Sequence, residues 1–369
     1  MHYAARVPEL IPLPQPSPAG TRGAVKAAAR FRYTASMPGA PSSIAPYQDL
    51  TPDTILSAVE ATGRRTDGTL LALNSYENRV YQIGIEDQAP LIAKFYRPGR
   101  WSDAAIIEEH AFLRELAEAE IPVVAALADP SGSTLLTHAG YRFSLFPRQG
   151  GRAPDLEQPE QLEWLGRFLG RLHAVGAVRR FEHRARIDAQ TLGRGPREFI
   201  LKSRFLPPEL APRYREVTEL LLAGVERCFT RADTTRRIRL HGDCHPGNVL
   251  WTNAGPHFVD FDDCATGPAM QDLWMLLSGA RADMESQLGH VMAGYRQFAD
   301  FNPAELWLIE ALRTLRMIHY AAWIARRWDD PAFPRAFPWF DAPRYWEEHI
   351  QVLREQLPLL DETPLALDA

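Results

Sequence analysis

Cysteine is scarce in this 369-residue chain: Cys228, Cys244 and Cys264 are the whole set, and no two stand in C-x-x-C spacing. So few and so scattered, they exclude a disulfide framework and a structural zinc ribbon, and reduced thiols are expected. Long apolar runs are missing as well. The richest, Tyr320 to Ala325, is short and stops at Arg326-Arg327, far below the roughly 18 residues of a membrane-spanning helix. Positive charge is not in excess: 41 Lys and Arg face 46 Asp and Glu. Without a basic tract, no general attraction to nucleic acid or to an anionic membrane is expected, so any phosphate recognition must come from particular residues. A cytoplasmic protein with an ordinary globular composition, long enough for two lobes, is the resulting expectation.

Acidic residues are nearly absent from residues 1–46, where Glu9 stands alone against Arg6, Arg22, Lys26, Arg30 and Arg32 amid Pro, Ala and Gly. This stretch reads as a disordered extension, with Met37 as an alternative start. Order is expected from LTPDTILSAVEATG, where Thr51 offers an N-cap, Pro52 suits the first helical position and Gly63 marks a stop. LLALNS, RVYQIGI and LIAKFY then read as an antiparallel meander. From Asp103 to Ala119 the period changes, with Ile106, Ile107, His110, Leu113 and Leu116 at helical spacing. STLLTH and YRFSLF return to strand, and FPRQGG forms a hinge. Beyond it the pattern is helical over residues 160–174, 210–231, 284–298, 303–328 and 344–357. Strand signals shrink to Arg239-Leu240 and HFVDF. The expected division is therefore an N-lobe over residues 47–148 and a helical C-lobe over 149–369.

Chemistry concentrates in LHGDCHPGNVLW, residues 240–251, which places His241, Asp243, Cys244 and His245 within five positions. A catalytic zinc site usually draws its ligands from rigid elements. Pro246-Gly247 prevent a helix here, which weakens that reading. Cys244 and His245 are chain neighbours, an arrangement foreign to nucleophilic pairs that meet through the fold. The third reading uses Asp243 and Asn248. Phosphoryl transfer needs a carboxylate facing the acceptor hydroxyl and oxygen ligands for Mg²⁺ against the ATP phosphates, and the same Asp-to-Asn spacing occurs in the protein-kinase catalytic loop.

That reading demands partners. FVDFDD supplies Asp260 after an apolar pair, with Asp262 and Asp263 as competitors for the metal. Lys94, inside LIAKFY, is placed to reach phosphate, and Glu109 on the following helix is chosen over Glu108 to pair with it. A glycine-rich phosphate loop is absent, because LNSYENRVYQ contains no glycine. Ser75 and the amides of residues 76–78 are the candidate donors in its place. DDPAFPRAFPWF, with Phe333, Phe337, Trp339 and Phe340, is a candidate groove wall or lid, or else packing for the long helices.

LHGDCHPGNVLW, FVDFDD and GPAMQDLW together resemble the aminoglycoside phosphotransferase and choline kinase superfamily. LNSYENRVYQ, KFYRPGRW, EEHAFL, QDLWMLL and DDPAFPRAFPWF resemble more closely the bacterial stress response kinase A family, from about Leu50 to Leu360. The resemblance implies an α+β, protein-kinase-like bilobal fold and an ATP- and Mg²⁺-dependent serine/threonine protein kinase of the cytoplasm, linked to envelope and oxidative stress. By the same resemblance Asp243 matches the proton acceptor and Asn248 and Asp260 the Mg²⁺ ligands. Asp260 is also counted as catalytic, Ser75 as an ATP contact, Lys94 and Glu109 as the ion pair, and Asp272 as the brace of the loop. Small-molecule kinase and non-catalytic nucleotide binder are the alternatives. Protein substrates with Ser or Thr, autophosphorylation and a monomeric state are expected.

Overall fold

Thr51 opens the first helix by accepting a hydrogen bond from the Thr54 amide at 3.2 Å; Pro52 follows in the first turn, giving α1 (Pro52–Glu60). The computed structural model describes residues 46–73, 75–232 and 236–367. All but the last residue of the expected N-terminal extension lies outside them. After α1 come β1 (Thr66–Leu73), β2 (Arg79–Ile85), β3 (Gln88–Phe95), α2 (Asp103–Glu118), β4 (Leu136–His138) and β5 (Tyr141–Pro147). They form one antiparallel sheet in the order β1-β2-β3-β5-β4.

Period-two alternation divides the two faces of this sheet. Ala93, Phe95, Phe143 and Leu145 join Ile83 and Ile85 against Ile55, Ala58 and Val59 of α1. Lys94, between Ala93 and Phe95 and in register with Ser144, points the other way, toward α2 and the cleft. β1 begins four residues before the expected strand, and its register shifts between Thr66 and Leu70.

The helical part comprises α3 (Pro159–Gly176), a π-helical turn over Gln190–Arg194 that runs into α4 (Gly195–Lys202), and α5 (Ala211–Ala232). Next come β6 (Ile238–Leu240), β7 (Val249–Thr252), β8 (Gly255–Phe258) and β9 (Ala265–Gly267), then α6 (Met270–Leu273), α7 (Arg281–Tyr295), α8 (Leu308–Ala325), α9 (Ala332–Ala336) and α10 (Pro343–Leu359). Helix α4 was not among the expected helices. The π turn feeds the helix, and Pro196 sits in its first turn, where a missing N–H costs nothing. β7 pairs with β8 and β6 with β9, two short ladders that frame the loop carrying Asp243.

α2 lies between the sheet and the helical part, and Phe146 of β5 belongs to the buried cluster of its apolar side. Phe112, Leu113 and Leu116 share one buried cluster with Leu162, Leu165 and Leu169 of α3 and with Phe258. The lobes are thus joined through α2 as well as through the hinge. At the hinge, Arg152 and Trp251 exchange backbone hydrogen bonds at 3.1 and 2.6 Å, which pins the crossover to β7. Residues 329–340 divide between the wall and the packing readings: Phe333, Phe337 and Phe340 are fully buried in one cluster with residues of α5, α8 and α10, while Asp330, Pro331, Ala332 and Arg335 line a cavity of about 630 Å³. Among the described residues no helix is long and apolar enough to cross a membrane.

Candidate active site

The loop after β6 is built on a buried carboxylate. Asp272 of α6, fully buried, accepts hydrogen bonds from the amides of His241 at 2.9 Å and Gly242 at 2.8 Å. His173 of α3 lies 3.1 Å from the same carboxylate and is held in turn by the Tyr295 hydroxyl at 2.9 Å. Gly242 has a positive φ of 86° and lies so close to the Asp263 carbonyl that a Cβ would collide with it. His241 stacks on Phe261, 4.4 Å between ring centroids, and bonds the Val259 carbonyl through Nε2. His245 accepts from the Gly247 amide through Nδ1. Both histidines therefore shape the loop, and Cys244 is a buried thiol whose pKa burial pushes well above the ordinary range.

Asp243 emerges from this frame with its side chain 23% exposed. Burial opposes its charge, but Arg316 above all, with help from His245 and His241, pulls its pKa down to about 2. Arg316, on α8, donates to Asp243 Oδ1 at 2.6 Å. Asn248 donates from its amide nitrogen to the Asp243 carbonyl at 2.9 Å. That bond engages the nitrogen and leaves the amide oxygen for another partner.

Asp260 does not directly end a strand, as its apolar approach suggested. β8 stops at Phe258, Val259 donates to the Asn248 carbonyl, and Asp260 stands two residues beyond in the left-handed region, φ 59° and ψ 64°. For a residue with a Cβ this conformation is uncommon and occurs at functional turns. It leaves the Asp260 side chain 56% exposed, 3.4 Å from Lys94 Nζ.

Its two competitors are committed elsewhere. Asp262 is buried between Lys94, at 3.0 Å, and Arg100. Asp263 is paired with Arg100 at 2.5 Å. The tertiary structure thus leaves Asp260 as the one of the three without an Arg100 partner, with Lys94 on one oxygen. Lys94 Nζ also lies 3.6 Å from Glu109 Oε1. Burial disfavours its ammonium, yet Glu109 and Asp260 hold its pKa above the usual lysine range. Glu108 turns away and receives the amides of Glu182, His183 and Arg184 at 2.6 to 3.1 Å.

Asn248 and Asp260 supply hard oxygen donors of the kind Mg²⁺ takes. Among the described residues no three or more His, Cys, Asp and Glu are grouped to hold a metal ion. Such a pair fits a cation that completes its shell with substrate phosphates and water, and does not fit a cage made wholly of protein.

Ser75 is placed apart from this group. It lines a cavity of about 630 Å³ with Tyr47, Tyr76, Arg79, Asp330 and Arg335, and Lys94, Asp243 and Asp260 are not in its wall. The loop around it is fastened to the C-lobe. Glu77 accepts from Trp323 Nε1 and from Arg327 at 2.8 Å, and pairs with Arg97 and Arg100 at 3.5 and 3.2 Å. Asp330 receives Arg79 at 3.0 Å and Arg97 at 2.7 Å. Tyr76 packs between Phe333 and Phe337. Glycine is dispensable in such a loop, because side chains clamp it in place.

Sequence reasoning missed three residues, Arg100, Arg184 and Arg316, and it named Asp262 as a competitor for the metal and not as a partner of Lys94 and Arg100. Arg184 is fully buried and ties Glu109 of α2 to the carbonyls of Asp262 and Cys264. An arginine in an ordinary polar stretch announces no partner, and a spacing signal for these three does not exist.

Known proteins resemble this arrangement. The family model of the phosphotransferase enzyme family matches residues 69–309. Stress response kinase A of Escherichia coli (strain K12) is 44% identical over 321 residues, 87% of this chain and 97% of that protein. The serine/threonine protein kinase RdoA of Salmonella typhimurium strain LT2 matches at the same identity and coverage. Among solved structures, the amicoumacin kinase hAmiN, in complex with AMP-PNP and Ca²⁺, superposes with a TM-score of 0.65 at 17% identity, over 86% of this chain and 96% of that one. A microcompartment-associated aminopropanol kinase follows at 0.62 and 18%, over 83% and 96%. At these identities the two structures speak for the fold.

Proposed function

Because the chain belongs to the phosphotransferase enzyme family, we propose that it is an ATP- and Mg²⁺-dependent kinase acting on serine and threonine hydroxyls of proteins, itself included. The observation that carries the protein-kinase reading is the 44% identity, across 97% of its length, to a relative named as a serine/threonine protein kinase. The geometry supports the chemistry. Asp243 faces the acceptor hydroxyl, Lys94 holds phosphate oxygens and is itself held by Glu109, and Asn248 and Asp260 hold the cation. When bound, Mg²⁺ neutralises charge on the phosphates.

In the transfer the hydroxyl oxygen forms a bond to the γ-phosphorus as the bridging P–O bond breaks. ADP leaves with that electron pair, and the hydroxyl proton passes to Asp243. A carboxylate held near 2 is a weak base, so its main work is to orient the hydroxyl and take the proton late, in keeping with a loose transition state. Arg79 and Arg97 draw the carbonyls of residues 76–78 toward themselves, which leaves the loop's amides for phosphate. Ser75 enters the proposal as an ATP contact beside them. Action in the cytoplasm as a monomer, within a response to envelope and oxidative stress, completes the reading; the relatives' name supports the stress role.

The test is transfer from radiolabelled ATP to the purified chain and to a generic protein substrate, with Asp243→Ala as control. Label in protein, lost in the variant, supports the proposal. Label confined to small hydroxyl compounds would replace it with small-molecule phosphorylation, and tight nucleotide binding without turnover would leave a binding protein.

A further inference from the structure

Helix α8 is buried over most of its circumference, and Arg316, His319, Tyr320 and Trp323 are its half-exposed positions in one i, i+3, i+4, i+7 stripe. The stripe runs between the two loops of the site. At one end Arg316 donates to Asp243 at 2.6 Å, and at the other Trp323 donates to Glu77 at 2.8 Å. Between them, the buried Nδ1 of His319 has no hydrogen-bond partner within the protein. Such an atom costs free energy unless something outside the chain engages it.

Arg316 differs from the arginines that hold this fold together. Arg184 is fully buried with bonds to three groups, and Arg97 is 9% exposed with bonds to the nucleotide loop and Asp330. Arg316 is 37% exposed and spends one nitrogen on Asp243. Among the described residues the rest of its planar fork makes no hydrogen bond, and it stands beside a carboxylate that is itself 23% exposed.

We propose that this face of α8 is the acceptor wall of the site and that Arg316 is its positioning residue. It holds Asp243 in the orientation that meets the hydroxyl, and it offers its remaining N–H groups to an oxygen of the acceptor. Neutral and anionic acceptors are favoured over polycations, because a guanidinium beside the base repels positive charge. The inference rests on Asp243 being the hydroxyl-facing carboxylate. It does not depend on the acceptor being a protein.

The experiment compares wild type, Arg316→Lys and Arg316→Ala on Ser-containing peptides that differ only in flanking Glu, neutral or Lys residues, alongside nucleotide affinity by calorimetry. In Arg316→Ala, kcat/KM for the Glu-flanked peptide is expected to fall about a hundredfold and that for the Lys-flanked peptide about tenfold. Nucleotide Kd stays within about twofold of wild type. Arg316→Lys recovers part of the rate, and added guanidinium rescues Arg316→Ala but not Asp243→Ala. Wild-type peptide kinetics in Arg316→Ala, an equal loss on all three peptides without guanidinium rescue, or a loss confined to nucleotide affinity would overturn it. If wild type labels small hydroxyl compounds and no peptide, the protein-kinase reading fails. The same variants on anionic, neutral and cationic compounds then decide the role of Arg316. A chain that turns over no ATP overturns both.

Discussion

Asp272 holds the catalytic loop through two backbone amides, at 2.9 and 2.8 Å, from a carboxylate without solvent contact. Glu77 holds the loop of residues 75–78, for which nucleotide contact is proposed, through side chains, with Arg97, Arg100, Arg327 and Trp323 gathered around it. The first is an internal brace. Its bonds are short in sequence reach, 31 and 30 residues, and its distances are insensitive to salt. The second is a clasp between lobes, made by residues up to 250 positions apart. A phosphotransferase needs both: a rigid seat for the residue that meets the hydroxyl, and a cover that releases to exchange nucleotide.

The comparison can be broken most forcefully at the seat. Asp243→Asn keeps the shape of the loop and removes the charge, so kcat is expected to fall about 10²- to 10⁴-fold while nucleotide affinity is retained. Single-turnover transfer and nucleotide titration check this, and a parallel loss of affinity would contradict the assigned role. Asp272→Ala removes the brace itself, leaving two buried amides and the His173–Tyr295 chain without their acceptor. A stability loss of roughly 3–5 kcal/mol is expected, read from denaturant unfolding. A loss below about 1 kcal/mol would mean the loop is seated by something else.

The clasp should respond more mildly and in a different observable. Glu77→Ala is expected to raise the nucleotide KM about tenfold, with kcat at saturation within a fewfold of wild type. Wild type should show the milder form of this defect at high salt. Stopped-flow nucleotide binding separates the cases, and an unchanged KM would show that the cover does not depend on Glu77.

The smallest effect lies at the joint between the regions. His110 of α2 is buried, bonded to the Tyr96 hydroxyl and to Thr134, each at 2.8 Å. Burial, opposed in part by Glu109, lowers its pKa from 6.5 to about 4. The unfolded chain therefore takes up this proton first as pH falls. Stability drops between pH 6.5 and 4 and levels below that. His110→Gln should flatten this slope in unfolding midpoints measured across the window; an unaltered slope would assign the acid sensitivity to other groups.

Much of the architecture was legible before any coordinates, and for local reasons. LIAKFY read as a strand with Lys94 between apolar neighbours, as it is, and Thr51 with Pro52 marked a helix start through bonds made within one turn. Where the local signal was weak, the reading was incomplete: α4 was not among the expected helices, and of residues 329–340 the aromatic Phe333, Phe337 and Phe340 turned out to be packing while their polar neighbours line a cavity.

The sequence by itself determined the chemical inventory of this protein: an Asp and an Asn five apart on a short loop, a carboxylate turn after an apolar pair, and a lysine within a strand. Spacing along the chain is enough for these, because each motif is assembled by its own backbone. Only the tertiary structure decided which acid escapes Arg100. Asp260, Asp262 and Asp263 are alike in type and nearly in position, and they differ because Arg100 pairs with Asp262 and Asp263 across more than 160 residues, whereas Asp260 meets Lys94 at 3.4 Å. Arg316 likewise meets Asp243 across 73 residues. Charge pairing acts through space and leaves no period in the sequence, so the partners of the site became visible once the chain had folded around them.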